Sequence, residues 1–132
     1  MRLLLAALLC TVSALAQDVV VFRGTPSTRL FASVDAESRV KLDAEEAKKN
    51  ECLIVSRKNK YYWASRNNGL MIRIDAPQFT YFVHSGGAGY VKVFTGERTP
   101  DAQAEYIEGI TQGFDVITYW GRALTRSATP SK

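Results

Sequence analysis

The chain holds one histidine, His84, and two cysteines, Cys10 and Cys52. A cysteine thiol activated by an imidazole is the simplest nucleophilic pair these residue types can make. The flanking residues give it no support. Cys52 stands in the apolar run Cys52-Leu53-Ile54-Val55, where a strand buries it as a small hydrophobe. No acid or nucleophile lies at a fixed spacing that would make His84 a general base. The run Ser85-Gly86-Gly87-Ala88-Gly89 offers backbone N–H groups to an anion. Phosphate loops are followed by a helix, whereas Tyr90–Thr95 reads as a strand, so a turn that needs positive φ is the plainer account of the glycines. GxSxG, HExxH and CxxC are absent, and one histidine with one cysteine does not make a metal site. The sequence therefore assigns no catalytic residue, no metal and no cofactor.

Binding is the better supported chemistry. Tyr61, Tyr62 and Trp63 are consecutive, with Arg57, Lys58, Lys60 and Arg66 around them; Tyr119 and Trp120 lie near Arg122. Aromatic rings beside cations suit sugar rings, peptides or anionic polymers. Consecutive strand residues alternate faces, so part of each cluster must be core, and Trp63 and Trp120 are the residues expected there. The candidate binding set is Lys60, Tyr61, Tyr62, Trp63, Arg66 and His84.

The elements that position these residues are short. Val19–Phe22 and Arg29–Val34 are β-prone. Asp43 is placed to cap a helix over 44–49, with Glu46 three residues on and Glu45 paired to Lys49 on a solvated face. Residues 51–57 and 60–66 form a hairpin around Lys58-Asn59 that sets Ile54 opposite Trp63 and Val55 opposite Tyr62. Asn67-Asn68-Gly69 is a turn. The strand that follows alternates Leu70, Ile72 and Ile74 against Met71 and Arg73, and the aliphatics are expected inward. Phe79–His84 and Tyr90–Thr95 continue the meander. Thr99-Pro100-Asp101 opens like a helix, and Ala102, Tyr106 and Ile110 continue it over residues 100–111, with Glu105 and Glu108 facing away. Phe114–Trp120 is a last strand, closed by Gly121. These elements predict an α+β domain: a meandering antiparallel sheet of about six strands with one short and one longer helix. A small β-barrel or sandwich with peripheral helices is the alternative.

The first sixteen residues, MRLLLAALLCTVSALA, read as a secretory signal peptide: one early cation, an apolar run too short to span a bilayer, and a small-residue Ala14-Leu15-Ala16 end. Residues 17–132 are then a single small globular domain with a frayed tail from 125, secreted or periplasmic and without a transmembrane segment. Cleavage removes Cys10, so no disulfide forms within the mature chain; Cys52 is either buried or a link between two chains of a homodimer. It also removes Arg2, and the remaining small cationic excess does not indicate nucleic acid. The reading that follows is a non-enzymatic exported binding or interaction module. Its partner would be another envelope or secreted protein, or an anionic or sugar polymer. A small hydrolase or transferase using His84, and a structural or oligomerising protein, are the alternatives.

Overall fold

The computed structural model describes residues 17–96 and 104–126. Ten elements follow in order: β1 (Val19–Ala32), β2 (Glu37–Lys41), α1 (Ala44–Lys49), β3 (Cys52–Arg57), β4 (Lys60–Trp63), β5 (Gly69–Ala76), β6 (Phe79–His84), β7 (Gly89–Phe94), β8 (Tyr106–Gln112) and β9 (Asp115–Arg126). From β3 to β9 each strand pairs antiparallel with the next, and β9 returns to pair with β1. Eight strands thus close into a barrel, with β2 hung on β1 outside the ring. The sequence reading of an α+β sheet with a longer helix is overturned; the small barrel held as its alternative fits.

β1 makes closure possible. Its first half, from Val19 to Gly24, pairs with β3; its second, from Thr28 to Ala32, pairs with β2; its other edge runs along β9 for most of its length. The register shifts between Val20 and Phe22 on the β3 side, and between Pro26 and Thr28 on the β9 side. Pro26, which has no N–H to give a ladder, sits where the strand changes partner. Bulges of this kind bend a strand and let a sheet curl onto itself.

The turns behave as their residues require. Lys58 and Asn59 take φ of 49° and 63°, and Asn67 and Asn68 take 55° and 52°. Two consecutive left-handed residues between paired strands match the strand twist, and the expected pairings Ile54–Trp63 and Val55–Tyr62 are both made. The short helix also forms over the expected residues. Asp43 Oδ1 accepts from the Glu46 amide at 2.8 Å, and Glu45 pairs with Lys49 at 3.2 Å.

The longer helix does not form. Residues 100–103 lie outside the described residues, and from Tyr106 the chain is strand β8. Its helical stripe, Tyr106 and Ile110, is also a strand stripe once Glu108 is added between them. Ile107, Ile110 and Thr111 are β-branched and Gly109 disfavours helix, so local preference sides with the strand. Glu108, expected to face away, is fully buried. β9 likewise continues through Gly121 to Arg126 instead of ending there.

The lumen is filled by Phe22, Cys52, Ile54, Trp63, Met71, Phe82, Val91, Val93 and Tyr106, all nearly or wholly inaccessible. The phase of β5 is opposite to the expected one. Met71 is buried, whereas Ile72 and Ile74 are 55% and 52% exposed. Pairing decides this: Met71 is opposite Tyr61 and His84, and Arg73 is opposite Phe82, on the inward side. Trp120, expected in the core, lies half-buried on the outer wall beneath the Arg39 guanidinium. The signal peptide assigned to residues 1–16 lies outside the described residues; of the frayed tail expected from 125, Thr125 and Arg126 belong to β9 and residues 127–132 lie outside the described residues.

Closure rests on a tight backbone crossing. A Cβ on Gly121 would fall within contact distance of the Thr25 carbonyl oxygen and of Pro26 Cα. Gly121→Ala should therefore force β1 from β9 and destabilise the protein by about 2 kcal/mol or more. Gly96→Ala, where an added Cβ meets nothing within 4 Å among the described residues, should stay within about 0.5 kcal/mol of the parent. Urea unfolding of the two variants makes the comparison; equal midpoints would show that the crossing is not limiting.

Candidate functional site

The two ends of the barrel differ. At one end lie the β3–β4 and β5–β6 turns, with Arg73, Thr80 and Tyr61 turned inward and Asp75 half exposed at the rim. Thr80 Oγ1 donates to Asp75 Oδ1 at 2.9 Å, Arg73 Nε donates to the same oxygen at 3.1 Å, and the Arg73 guanidinium lies over the Tyr61 and Phe82 rings. This network ties β4, β5 and β6 together at that end.

The opposite end is an open mouth. α1 closes its β1–β9 side: Asn50 Oδ1, at the helix end, accepts from the Tyr119 hydroxyl at 3.0 Å, and Arg29 approaches Glu46 at 3.9 Å. The other side is a cup of about 530 Å³ lined by Trp63, Ser65, Arg66, His84, Thr111 and Gln112 among others. Two loops form its walls, residues 64–68 and 85–88.

The first loop is pinned from inside. Ser65 Oγ accepts from the Leu53 amide at 2.9 Å. Arg66 then crosses the lumen: Nε and Nη2 both donate to Glu108 Oε1, and the guanidinium lies over the Tyr119 ring. Burial alone would lower the Arg66 pKa, but the Glu108 carboxylate more than offsets it and raises it, so the guanidinium stays charged. Glu108 is wholly inaccessible and Arg66 a quarter exposed. The pair forms the cup's charged but internally neutralised floor.

Beneath it lies Cys52. Burial first, then the negative charge of Glu108, push its thiol far above the ordinary range. Tyr106 is raised well above its usual value, again by burial first. Among the described residues, the buried Glu108 Oε2, Trp63 Nε1 and Tyr106 hydroxyl have no well-formed hydrogen bond, the first two meeting only the weakly bonding Cys52 thiol. These groups around one ion pair make the centre of the barrel unusually polar for a core.

The second loop is held by His84. Its Nδ1 accepts from the Ala88 amide at 3.1 Å, which places the neutral ring's proton on Nε2, and its ring is tilted against Trp63 with centroids 6.3 Å apart. Gly69 and Gly86 pass so close to the imidazole that a Cβ at either would strike it. The Cys52–His84 pair weighed from the sequence is not made. Cys52 is buried in the lumen beside Glu108, and His84 spends Nδ1 on the loop. An interchain disulfide through so buried a thiol is also closed to the folded barrel.

Of the six candidate binding residues, the fold brings Trp63, Arg66 and His84 together in the cup. Tyr61 faces the lumen nearer the other end, edge-on to Phe82. Tyr62 faces outward beneath Arg57, and Lys60 is exposed on the turn at the far rim. Sequence reasoning missed Glu108, because a helical period had placed it outside, and also Ser65, Thr111 and Gln112. The alternation Tyr106-Glu108-Ile110 was the available signal.

Comparison with protein-family models, with curated proteins and with solved structures finds no match to the chain.

Two outcomes follow from the buried pair. Arg66→Ala leaves the Glu108 carboxyl buried in the lumen without its partner and should cost about 3 kcal/mol. Replacing both, Arg66→Met with Glu108→Leu, should recover most of that loss in urea unfolding; a double variant as weak as the single would refute the charge-based account. The Cys52 thiol gives an alkaline dependence. Its folded pKa lies above its unfolded value, so its contribution is complete below the ordinary value of 9.0 and is lost as pH rises through and beyond it. Stability should decline between about pH 8.5 and 10, and Cys52→Ala should flatten that slope in urea titrations at each pH.

Proposed function

We propose that the protein is a non-enzymatic binding module that works outside the cytoplasm and takes a small, neutral, hydroxyl-rich ligand in the mouth of its barrel. The observation that carries this reading is the cup of about 530 Å³ at one end of the barrel. Its volume is in the range of small-molecule sites, and barrel mouths are a common place for them.

The lining sets the ligand class. Ser65, Asn67, Thr111 and Gln112 offer neutral donors and acceptors; His84 offers ring surface, with the buried Trp63 ring behind it. The Arg66 charge is answered by Glu108 inside the protein, so a ligand meets donors without an uncompensated cation. Hydroxyl groups on a sugar-like ring satisfy such a surface, with the ring against the His84 imidazole. This favours the sugar-bearing side of the partner classes drawn from the sequence over an anionic polymer. Address in the secreted or periplasmic space rests on the leader-like residues 1–16 alone.

The test uses Trp63 as reporter. The chain has two tryptophans, so a Trp120→Phe background leaves Trp63 as the sole emitter. Neutral mono- and disaccharides should change its emission saturably, whereas matched sulfated sugars and simple cations should not. Asn67→Ala and Gln112→Ala should each weaken binding by about fivefold, as expected for one neutral hydrogen bond. A panel of neutral sugars that leaves both Trp63 emission and ligand NMR line widths unchanged would refute the assignment.

A further inference from the structure

The outer wall of the barrel opposite α1 has its polarity reversed. On β5 the Arg73 side chain lies on the lumen side, with Asp75 half exposed at the rim beside it, while Ile72 and Ile74 face out and are more than half exposed. The neighbouring strands continue the pattern. Ile72 is opposite Val83, which is opposite Tyr90; Ile74 is opposite Tyr81, which is opposite Lys92. Leu70 and Tyr90 are exposed at 40% and 37%. Isolated exposed apolar residues are ordinary on a protein surface, but a contiguous block across three paired strands is a marker of an interaction surface.

The charges on this wall have one sign. The outward positions of β4, β5, β6 and β7 carry Lys60 and Lys92 and no carboxylate. Lys92 is set among the rings: its ammonium lies 4.4 Å from the Phe79 centroid, 5.2 Å from Phe94 and 5.3 Å from Tyr81. The cation is thus held within the aromatic surface by ring faces, where it can answer an anionic headgroup laid against the wall.

We infer that this β5–β7 wall docks against an anionic lipid surface. Aliphatic side chains enter the boundary region, Tyr81 and Tyr90 sit at headgroup depth, and Lys60 and Lys92 meet the lipid phosphates. The wall lies on the surface and does not cross it. β4 has 4 residues and β6 and β7 have 6 each, against the roughly 9–11 that a membrane-spanning strand needs.

Other occupants fit less well. Each strand of the wall is paired on both edges, so no partner strand can be added. The hollow beside Tyr81, Val83 and Tyr90, about 360 Å³, is bounded in part by Gly87, Gly89 and Thr111 and does not run the length of the wall as a helix groove would. The centre of a protein interface is depleted in lysine, whereas Lys92 stands in the middle of this wall. A second copy would bring lysines together with no carboxylate on the wall to answer them.

Co-sedimentation of the full protein with vesicles tests the inference. The protein should pellet with vesicles of phosphatidylcholine containing a quarter phosphatidylglycerol, and much less with phosphatidylcholine alone. Ile72→Thr with Ile74→Thr keeps β-branched residues at exposed positions, so circular dichroism should be unchanged while vesicle affinity falls by about tenfold. Lys60→Gln with Lys92→Gln should reduce the preference for anionic vesicles and the sensitivity to salt. Failure to pellet with either vesicle overturns the proposal. Equal pelleting of parent and threonine variant overturns it too. So does a dimer, seen by sedimentation equilibrium, that the threonine pair abolishes. None of these outcomes bears on sugar binding at the mouth, which lies at the end of the barrel.

Discussion

Everything in this structure depends on the return of β9 to β1. Without that pairing the sheet would be an open meander with two long unpaired edges, and its charged lumen residues would lie on a solvated face. With it, the same residues are enclosed. The crossing is made by backbone: Gly121 of β9 passes Thr25 and Pro26 at a distance no side chain tolerates, and Gly24 leaves room for the Tyr106 ring, which packs edge-on to Phe22. β1 accepts this by changing partner halfway and bending at its bulges. The small helix is part of the same solution, because the chain must travel from β2 back to β3 and does so across one side of the mouth.

Closure also explains the buried ion pair. A ring of eight strands has a narrow interior, and the chain fills it with rings and aliphatics over most of its height. Near the mouth the filling turns polar. Arg66 enters from a loop, not from a strand, so its guanidinium reaches Glu108 on β8 and Tyr119 on β9 from the opposite side. Such a pair contributes little net stability against a well-packed apolar substitute, but it fixes the position of the loop that bears it. One arginine thus converts a mobile type of element, a four- or five-residue turn, into a wall of the cup.

Local features were legible in the sequence, and those decided at long range were not. The α1 cap, the Glu45–Lys49 pair and the β3–β4 register depend on residues within a few positions of one another, and each was readable from turn and capping chemistry. β8 was misread because Tyr106 and Ile110 satisfy a helical spacing and a strand spacing equally. What selects the strand is pairing with β7 and β9, which no local pattern encodes. The phase of β5 failed for a related reason. Aliphatics are expected inward, and only the register against β4 and β6 shows that Met71 and Arg73 take the lumen. At the site, Trp63, Arg66 and His84 were visible as residue types. Their meeting in one cup, and the burial of Glu108 beneath them, come from closure.

The register of β1 against β9 has a practical corollary. Phe22 lies opposite Arg126, so the chain enters its first strand and leaves its last at neighbouring points on the rim away from the mouth. A linker joining these two points would be short, and new termini opened at Lys58-Asn59 or Gln78 on that same rim would leave every residue of the cup untouched. Circularly permuted or surface-immobilised forms of the protein would therefore present the cup outward. In this architecture the site of attachment and the site of recognition are opposite poles of one cylinder.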